Sequence, residues 1–164
     1  MRLLFCHGLE GTPTGRKVRA LRDAGIDVLA PDFQGMNLAQ RVDTLAALLA
    51  KLPDTPIVLA GSSYGGALAA WTVMQQPERF SGLLLLAPAV SYAEAPVPSS
   101  SAYIPPDNMP VIVIHGKGDT VVPASASIAY AARGAHVDLR LVDDGHRLGG
   151  SLPGIVAAAQ ELLE

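Results

Sequence analysis

Cysteine is nearly absent. The 164-residue chain has one, Cys6, so no disulfide can close within it and no cysteine set exists for a structural zinc. Charge is scarce as well. Charged residues make up 16% of the chain, against roughly 25% in an average soluble domain. Cations do not dominate: 12 Lys and Arg face 15 Asp and Glu, a net charge of −3. That balance argues against nucleic-acid binding by phosphate neutralisation and against a polybasic membrane anchor. Long apolar runs are missing too. The longest, Gly82 to Val90, falls far short of the ~20 residues that span a bilayer. The apolar opening Leu3-Leu4-Phe5-Cys6 is shorter than the ~7–15 residues of a secretory signal core. These absences lead us to expect a soluble, cytoplasmic protein with no nucleic-acid or membrane partner. Hydrophobicity, by contrast, is plentiful. At 49% it argues against disorder and for a large core. A mass of 17.0 kDa fits one domain over residues 1–164.

Short apolar runs alternate with longer amphipathic stretches. Strands are expected at Leu3–Cys6, Ile26–Ala30, Ile57–Ala60, Leu83–Leu86, Val111–Ile114 and Val137–Val142. Several are apolar on both faces, as strands of a parallel sheet covered on both sides would be. Helices are expected over Thr14–Ala24, Asn37–Leu52, Gly65–Gln76, Ala124–Arg133 and from Leu152 onward. Most of them end at glycine or before proline, by the usual stop signals. The alternation implies an α/β fold of about six mainly parallel strands. One stretch differs. Ser91–Pro110 holds five prolines and a run of three serines. It reads either as a short flap over a functional site or as a crossover with one irregular turn.

The chemistry concentrates where strands end. Gly61-Ser62-Ser63-Tyr64-Gly65 fits G-x-S-x-G between a strand and a helix, with Ser63 central. A serine on so sharp a turn projects its hydroxyl above the sheet, and flanking glycines keep Cβ atoms out of the crowded backbone. The alternative is a tight turn with N-capping serines. His7-Gly8-Leu9-Glu10-Gly11 closes the first strand. Backbone N–H groups of Leu9 and Tyr64 could there form an oxyanion hole; otherwise it is a plain strand-to-loop turn. Asp119 and His146 each follow a later strand. The chain order Ser63, Asp119, His146 is the order of a Ser-Asp-His triad, with His146 as base and Asp119 holding its ring. Separately, the two would be a helix cap and a surface histidine.

Other polar residues read more plainly. Asp143 and Asp144 would cap a strand end or face solvent. His115 would be a hydrogen-bonded structural histidine and His136 a surface one. Glu10 would edge the site or else sit in water, and Cys6 would be a small buried hydrophobe. No tight metal-ligand spacing and no phosphate-binding glycine loop occurs, so neither a metal nor a cofactor is expected.

These residues resemble the α/β-hydrolase superfamily over essentially the whole chain. More narrowly, His7-Gly8-Leu9-Glu10-Gly11-Thr12-Pro13-Thr14-Gly15-Arg16-Lys17 and Gly61-Ser62-Ser63-Tyr64-Gly65-Gly66 are similar to the small YqiA-like esterases. Those open with H-G-F-x-[ST]-[ST]-P-x-[SG]-x-K and carry G-S-S-x-G-G. Here Leu9 replaces the commoner aromatic. The resemblance implies a minimal fold without a cap domain, strand order 2-1-3-4-5-6. The activity expected is a serine hydrolase that cleaves a small-molecule carboxylic ester or thioester through an acyl-enzyme on Ser63. Phe33, Met36 and Tyr92 are expected to line the substrate pocket. Amide or lactone hydrolysis on the same triad, or a non-catalytic binding module, are the alternatives. The oligomeric state is open.

Overall fold

The computed structural model describes all residues, Met1–Glu164. Six strands form one parallel sheet in the order β2-β1-β3-β4-β5-β6. They are β1 (Leu3–Cys6), β2 (Val28–Leu29), β3 (Ile57–Ser62), β4 (Phe80–Leu86), β5 (Val111–Gly116) and β6 (Val137–Val142). The helices between them are α1 (Arg16–Asp23), α2 (Leu38–Leu49), α3 (Tyr64–Gln75), α4 (Ser125–Ala132) and α5 (Leu152–Leu163).

Strand side chains alternate between two cores because successive residues point to opposite faces. Leu4, Cys6, Leu59, Leu83, Leu85 and Val113 join the apolar faces of α2, α3 and α4 on one side. Leu3, Phe5, Val58, Ala60, Leu84, Leu86, Ile112 and Ile114 join α1 and α5 on the other. The chain starts in β1, moves out to β2, then returns past β1 to β3. This reversal opens a crevice at the carboxyl ends of β1 and β3, where ligands bind in open α/β sheets.

Four strands differ in length from the sequence expectation: β3 and β5 each run two residues further, to Ser62 and Gly116, and β2 and β4 differ more. β2 is only Val28–Leu29. It lies at the sheet edge, and only Leu3 and Leu4 of β1 pair with it. β4 begins earlier, at Phe80, directly after a 3-10 turn over Pro77–Arg79. The Ser91–Pro110 stretch is held down by Val97, Tyr103 and Met109, all buried in the larger core, and contains a single 3-10 turn at Ser100–Ala102.

Candidate active site

Ser63 caps α3 at the end of β3, with φ 55° and ψ −115°. This positive φ is a strained conformation for a side-chain-bearing residue. The surroundings impose it. The Ser63 N–H donates to the Leu86 carbonyl at 2.9 Å, and the Ser63 carbonyl accepts from Gly66, Ala67 and Ala89 N–H. The turn closes only because Gly61 and Gly65 lack Cβ. On Gly65 a Cβ would run into the Cys6 and His7 carbonyls, and on Gly61 into the Gly65 carbonyl.

The structure brings Ser63, His146 and Asp119 together from three strand ends. Ser63 Oγ lies 2.9 Å from His146 Nε2, and His146 Nδ1 lies 2.7 Å from Asp119 Oδ2. With a carboxylate on one side, Nδ1 carries the proton and donates it, leaving Nε2 to accept from the serine hydroxyl. Asp119 is buried, which disfavours its charge. Hydrogen bonds from His146 and from the Val122 and Val121 N–H groups, with the His146 charge, outweigh this and hold its pKa below the usual carboxylate range. Both of those N–H donors reach Oδ1 at 2.8 Å.

A second histidine backs the aspartate. His115 is fully buried, with Nε2 2.8 Å from the Val122 carbonyl and 3.2 Å from Asp119 Oδ2. Neither oxygen can donate, so Nε2 carries the proton and Nδ1 accepts from the Ser127 hydroxyl at 2.6 Å. The loop bearing His146 is braced by Asp144, whose carboxylate accepts from Gly145 N–H, Gly150 N–H and the Ser151 hydroxyl. Leu148, at φ 52°, is fully buried in the core beneath that loop. Asp143 faces solvent near Lys117, and His136 is exposed.

Leu9, 63% exposed, follows β1 at the crevice. Its N–H donates to no backbone or side-chain acceptor of the protein. The Tyr64 N–H, at the first residue of α3, has no intrahelical acceptor. The loop that presents Leu9 is held by a residue the sequence reading passed over. Arg41 of α2 is fully buried, and its guanidinium donates to the carbonyls of His7 (2.7 Å), Gly8 (3.2 Å) and Met36 (3.3 Å). It lies against the rings of Tyr64 and Phe33, at 4.7 and 5.5 Å from their centres. His7 completes the tie. Its Nε2 accepts the Phe33 N–H at 2.8 Å, so Nδ1 donates to the Gly8 carbonyl at 2.7 Å. Glu94 accepts from the Tyr64 hydroxyl and the Leu38 N–H. Burial, then this hydrogen bond and the Glu94 charge, push the Tyr64 phenol up to about 12.

Over Ser63 and His146 opens a cavity of about 1070 Å³. Leu9, Glu10, Tyr64 and Tyr92 line it, with Ser91 and Glu94 the other contributors from the Ser91–Pro110 stretch. Phe33 and Met36 do not line it. Phe33 is fully buried, drawn under the loop by its bond to His7, and Met36 packs on the core with its sulfur accepting from Thr44. Cys6 is also buried, and burial pushes its thiol up to about 12. No three His, Cys, Asp or Glu side chains converge as a metal site would require. No helix is long and apolar enough to cross a membrane.

Comparison with known proteins agrees with this architecture. A protein of the alpha/beta hydrolase superfamily from Xanthomonas campestris pv. campestris superposes with a TM-score of 0.80 at 31% identity, over 99% of this chain and 97% of that one. Among curated proteins, the lipase LipV of Mycobacterium tuberculosis is 35% identical over 101 residues, 55% of this chain and 38% of LipV. Mouse monoglyceride lipase is 37% identical over 68 residues, 40% of this chain and 22% of that protein. The matches thus span well under two-thirds of either lipase. The profile of the alpha/beta hydrolase family matches residues 3–110, more than half of the chain, and the protein belongs to that family.

Proposed function

We propose that the protein is a serine hydrolase that cleaves a carboxylic ester or thioester through an acyl-enzyme on Ser63. One observation carries the reading: an unbroken hydrogen-bonded line from Ser63 through His146 to Asp119 at the floor of an open cavity. The 2.9 Å Ser63–His146 separation is within direct proton-transfer reach. The same observation favours an enzyme over a non-catalytic binding module. So does the Ser91–Pro110 stretch, which borders the cavity instead of filling it. The lipase relatives support an ester substrate.

As Ser63 Oγ bonds the substrate carbonyl carbon, its proton passes to His146 Nε2. The carbonyl oxygen takes up the negative charge and accepts from the Leu9 and Tyr64 N–H groups. Asp119 stabilises the imidazolium. His146 then gives its proton to the leaving oxygen or sulfur as the bond to carbon breaks, and the alcohol or thiol departs. Water enters, loses a proton to His146 and bonds the acyl carbon. Ser63 recovers its proton and the acid leaves. His7 and Arg41 are positioning residues, acting through the loop that they hold.

Turnover of a short-chain ester, such as 4-nitrophenyl butyrate, is the test. The wild type should show an acylation burst at high enzyme concentration, and Ser63→Ala should abolish both burst and turnover while its circular dichroism spectrum is unchanged. Turnover that survives Ser63→Ala would overturn the reading.

A further inference from the structure

The cavity over Ser63 is charged unevenly. Arg16 and Lys17, from the first turn of α1, and Arg147, the residue after His146, all line it. None of the three pairs with a carboxylate, whereas Arg2, Arg79, Lys117 and Arg140 elsewhere on the surface do. Lys17 Nζ donates only to the Arg147 carbonyl, at 2.9 Å. The Arg16 guanidinium runs alongside Gly149 of the same loop. Three cations thus gather at one wall of a chain whose net charge is −3. Burial and then the charges of Arg16 and Arg147 lower the Lys17 pKa, against the pull of Asp144; a bound anion would relieve that repulsion.

Two carboxylates also line the cavity, Glu10 and Glu94, and neither lies within ion-pair distance of Arg16, Lys17 or Arg147. Glu94 is engaged by Tyr64 and Leu38 on the α2–α3 side of the sheet. The cations sit on the opposite, α1–α5 side, where Leu148 anchors their loop. The exposed apolar side chains of Leu9, Tyr92 and Val121 supply a separate surface for an acyl chain. Chemistry assigns the cationic wall to the other half of the substrate. His146 must deliver its proton to the leaving atom, so the leaving group emerges against His146, beside Arg147.

We propose that Arg16, Lys17 and Arg147 form a leaving-group subsite for an anion. The preferred substrate is then an ester or thioester whose departing alcohol or thiol carries a carboxylate or a phosphate. The proposal rests on the serine hydrolase reading above, because hydrolysis defines which half of the substrate lies there.

Binding to Ser63→Ala tests it without turnover. By titration, 4-hydroxybenzoate should bind at least about tenfold more tightly than neutral 4-hydroxybenzamide if the anion is a carboxylate, and glycerol 3-phosphate than glycerol if it is a phosphate. The preference should shrink as salt is raised and fall about fivefold with either Arg16→Gln or Arg147→Gln added. Arg19→Gln, on α1 outside the cavity, removes the same charge and should leave the preference intact. Equal affinity for charged and neutral members of both pairs overturns the subsite, and so does an equal loss with Arg19→Gln. The parallel arm is hydrolysis by the wild type of the butyryl esters of 4-hydroxybenzoate and 4-hydroxybenzamide. If both are cleaved equally and neither anion binds, the hydrolase reading stands and the subsite falls. If neither is cleaved while an anion still binds, the subsite stands as an anion site and the hydrolase reading falls.

Discussion

Each residue of the Ser63–His146–Asp119 line has a separable task, so each substitution has its own signature. Ser63→Ala removes the nucleophile, with an expected loss in kcat of at least about 10⁴-fold. Asp119→Asn keeps the shape but offers His146 an amide in place of a carboxylate; a loss of about 10³–10⁴-fold is expected, read in steady-state kinetics on a neutral ester. Because only the unprotonated imidazole can take the Ser63 proton, activity should decline on the acid side of the pH–rate profile. A rate that stays level down to pH 4 would remove His146 from the role of base. Ser63, Asp119 and His146 were legible because each follows a recognisable strand, apolar for Ser63 and Asp119 and alternating for His146, in a short, typed loop. Phe33 and Met36 were not. A loop residue's direction depends on what its backbone bonds to, and the Phe33 N–H is captured by His7 from 26 positions away.

Among the elements, the turn between β3 and α3 is the most constrained. A Cβ on Gly65 would meet the carbonyls of Cys6 and His7, both backbone atoms with no room to yield. Gly65→Ala should therefore destabilise by about 3 kcal/mol, which lowers Tm by about 10 °C in a domain of this size; calorimetry checks this. Helix α2 carries a subtler constraint. Arg41 is completely buried on the same stripe as Leu38, Leu45 and Leu49, a position where an uncompensated charge would be costly. Its compensation is the three carbonyls and two rings around it. Arg41→Lys keeps the charge but cannot span those carbonyls with a planar fork. It should lower kcat by about 10–100-fold through the misplaced Leu9 N–H, with a smaller change in KM. A purely structural arginine would lower Tm and leave kcat of the folded fraction intact. The sequence did carry a signal for Arg41: a cation in the apolar register of α2. Its meaning depended on contacts 33 and 34 positions away, beyond the reach of periodicity. Strand positions were easier to read, since burial on both faces leaves continuous apolar runs; β2 was overestimated because only Leu3 and Leu4 of β1 pair with it.

For the molecule as a whole, the parallel strands place the functional loops together at the carboxyl end of the sheet, and two carboxylates, the buried Asp119 and the partly exposed Asp144, tie those loops to the fold. Asp119 and Asp144 both have pKa values held down in the folded state, Asp144 by the Ser151 hydroxyl and the Gly145 and Gly150 N–H groups. A depressed carboxylate binds fewer protons folded than unfolded, so stability rises with pH across that interval. Their contribution is complete above the unfolded value of about 3.9 and disappears as pH falls through the lower folded values. The urea midpoint should be level from pH 7 to about 5 and drop below about pH 4. Asp144→Asn should lower the plateau and soften the drop. The number of strands was legible because strand spacing is carried by local sequence; the strand order came only through the resemblance to the α/β-hydrolases that the motifs carry. The cationic wall of the cavity was not legible, because it is assembled from α1 and the His146 loop, 130 positions apart.

The central claim is that Ser63 is an activated nucleophile. Reaction of the folded protein with a fluorophosphonate, followed by peptide mass spectrometry, tests it most directly. The account predicts one adduct per chain, on Ser63, lost in His146→Ala. A folded wild-type protein that forms no adduct, or that is labelled equally well without His146, would contradict it.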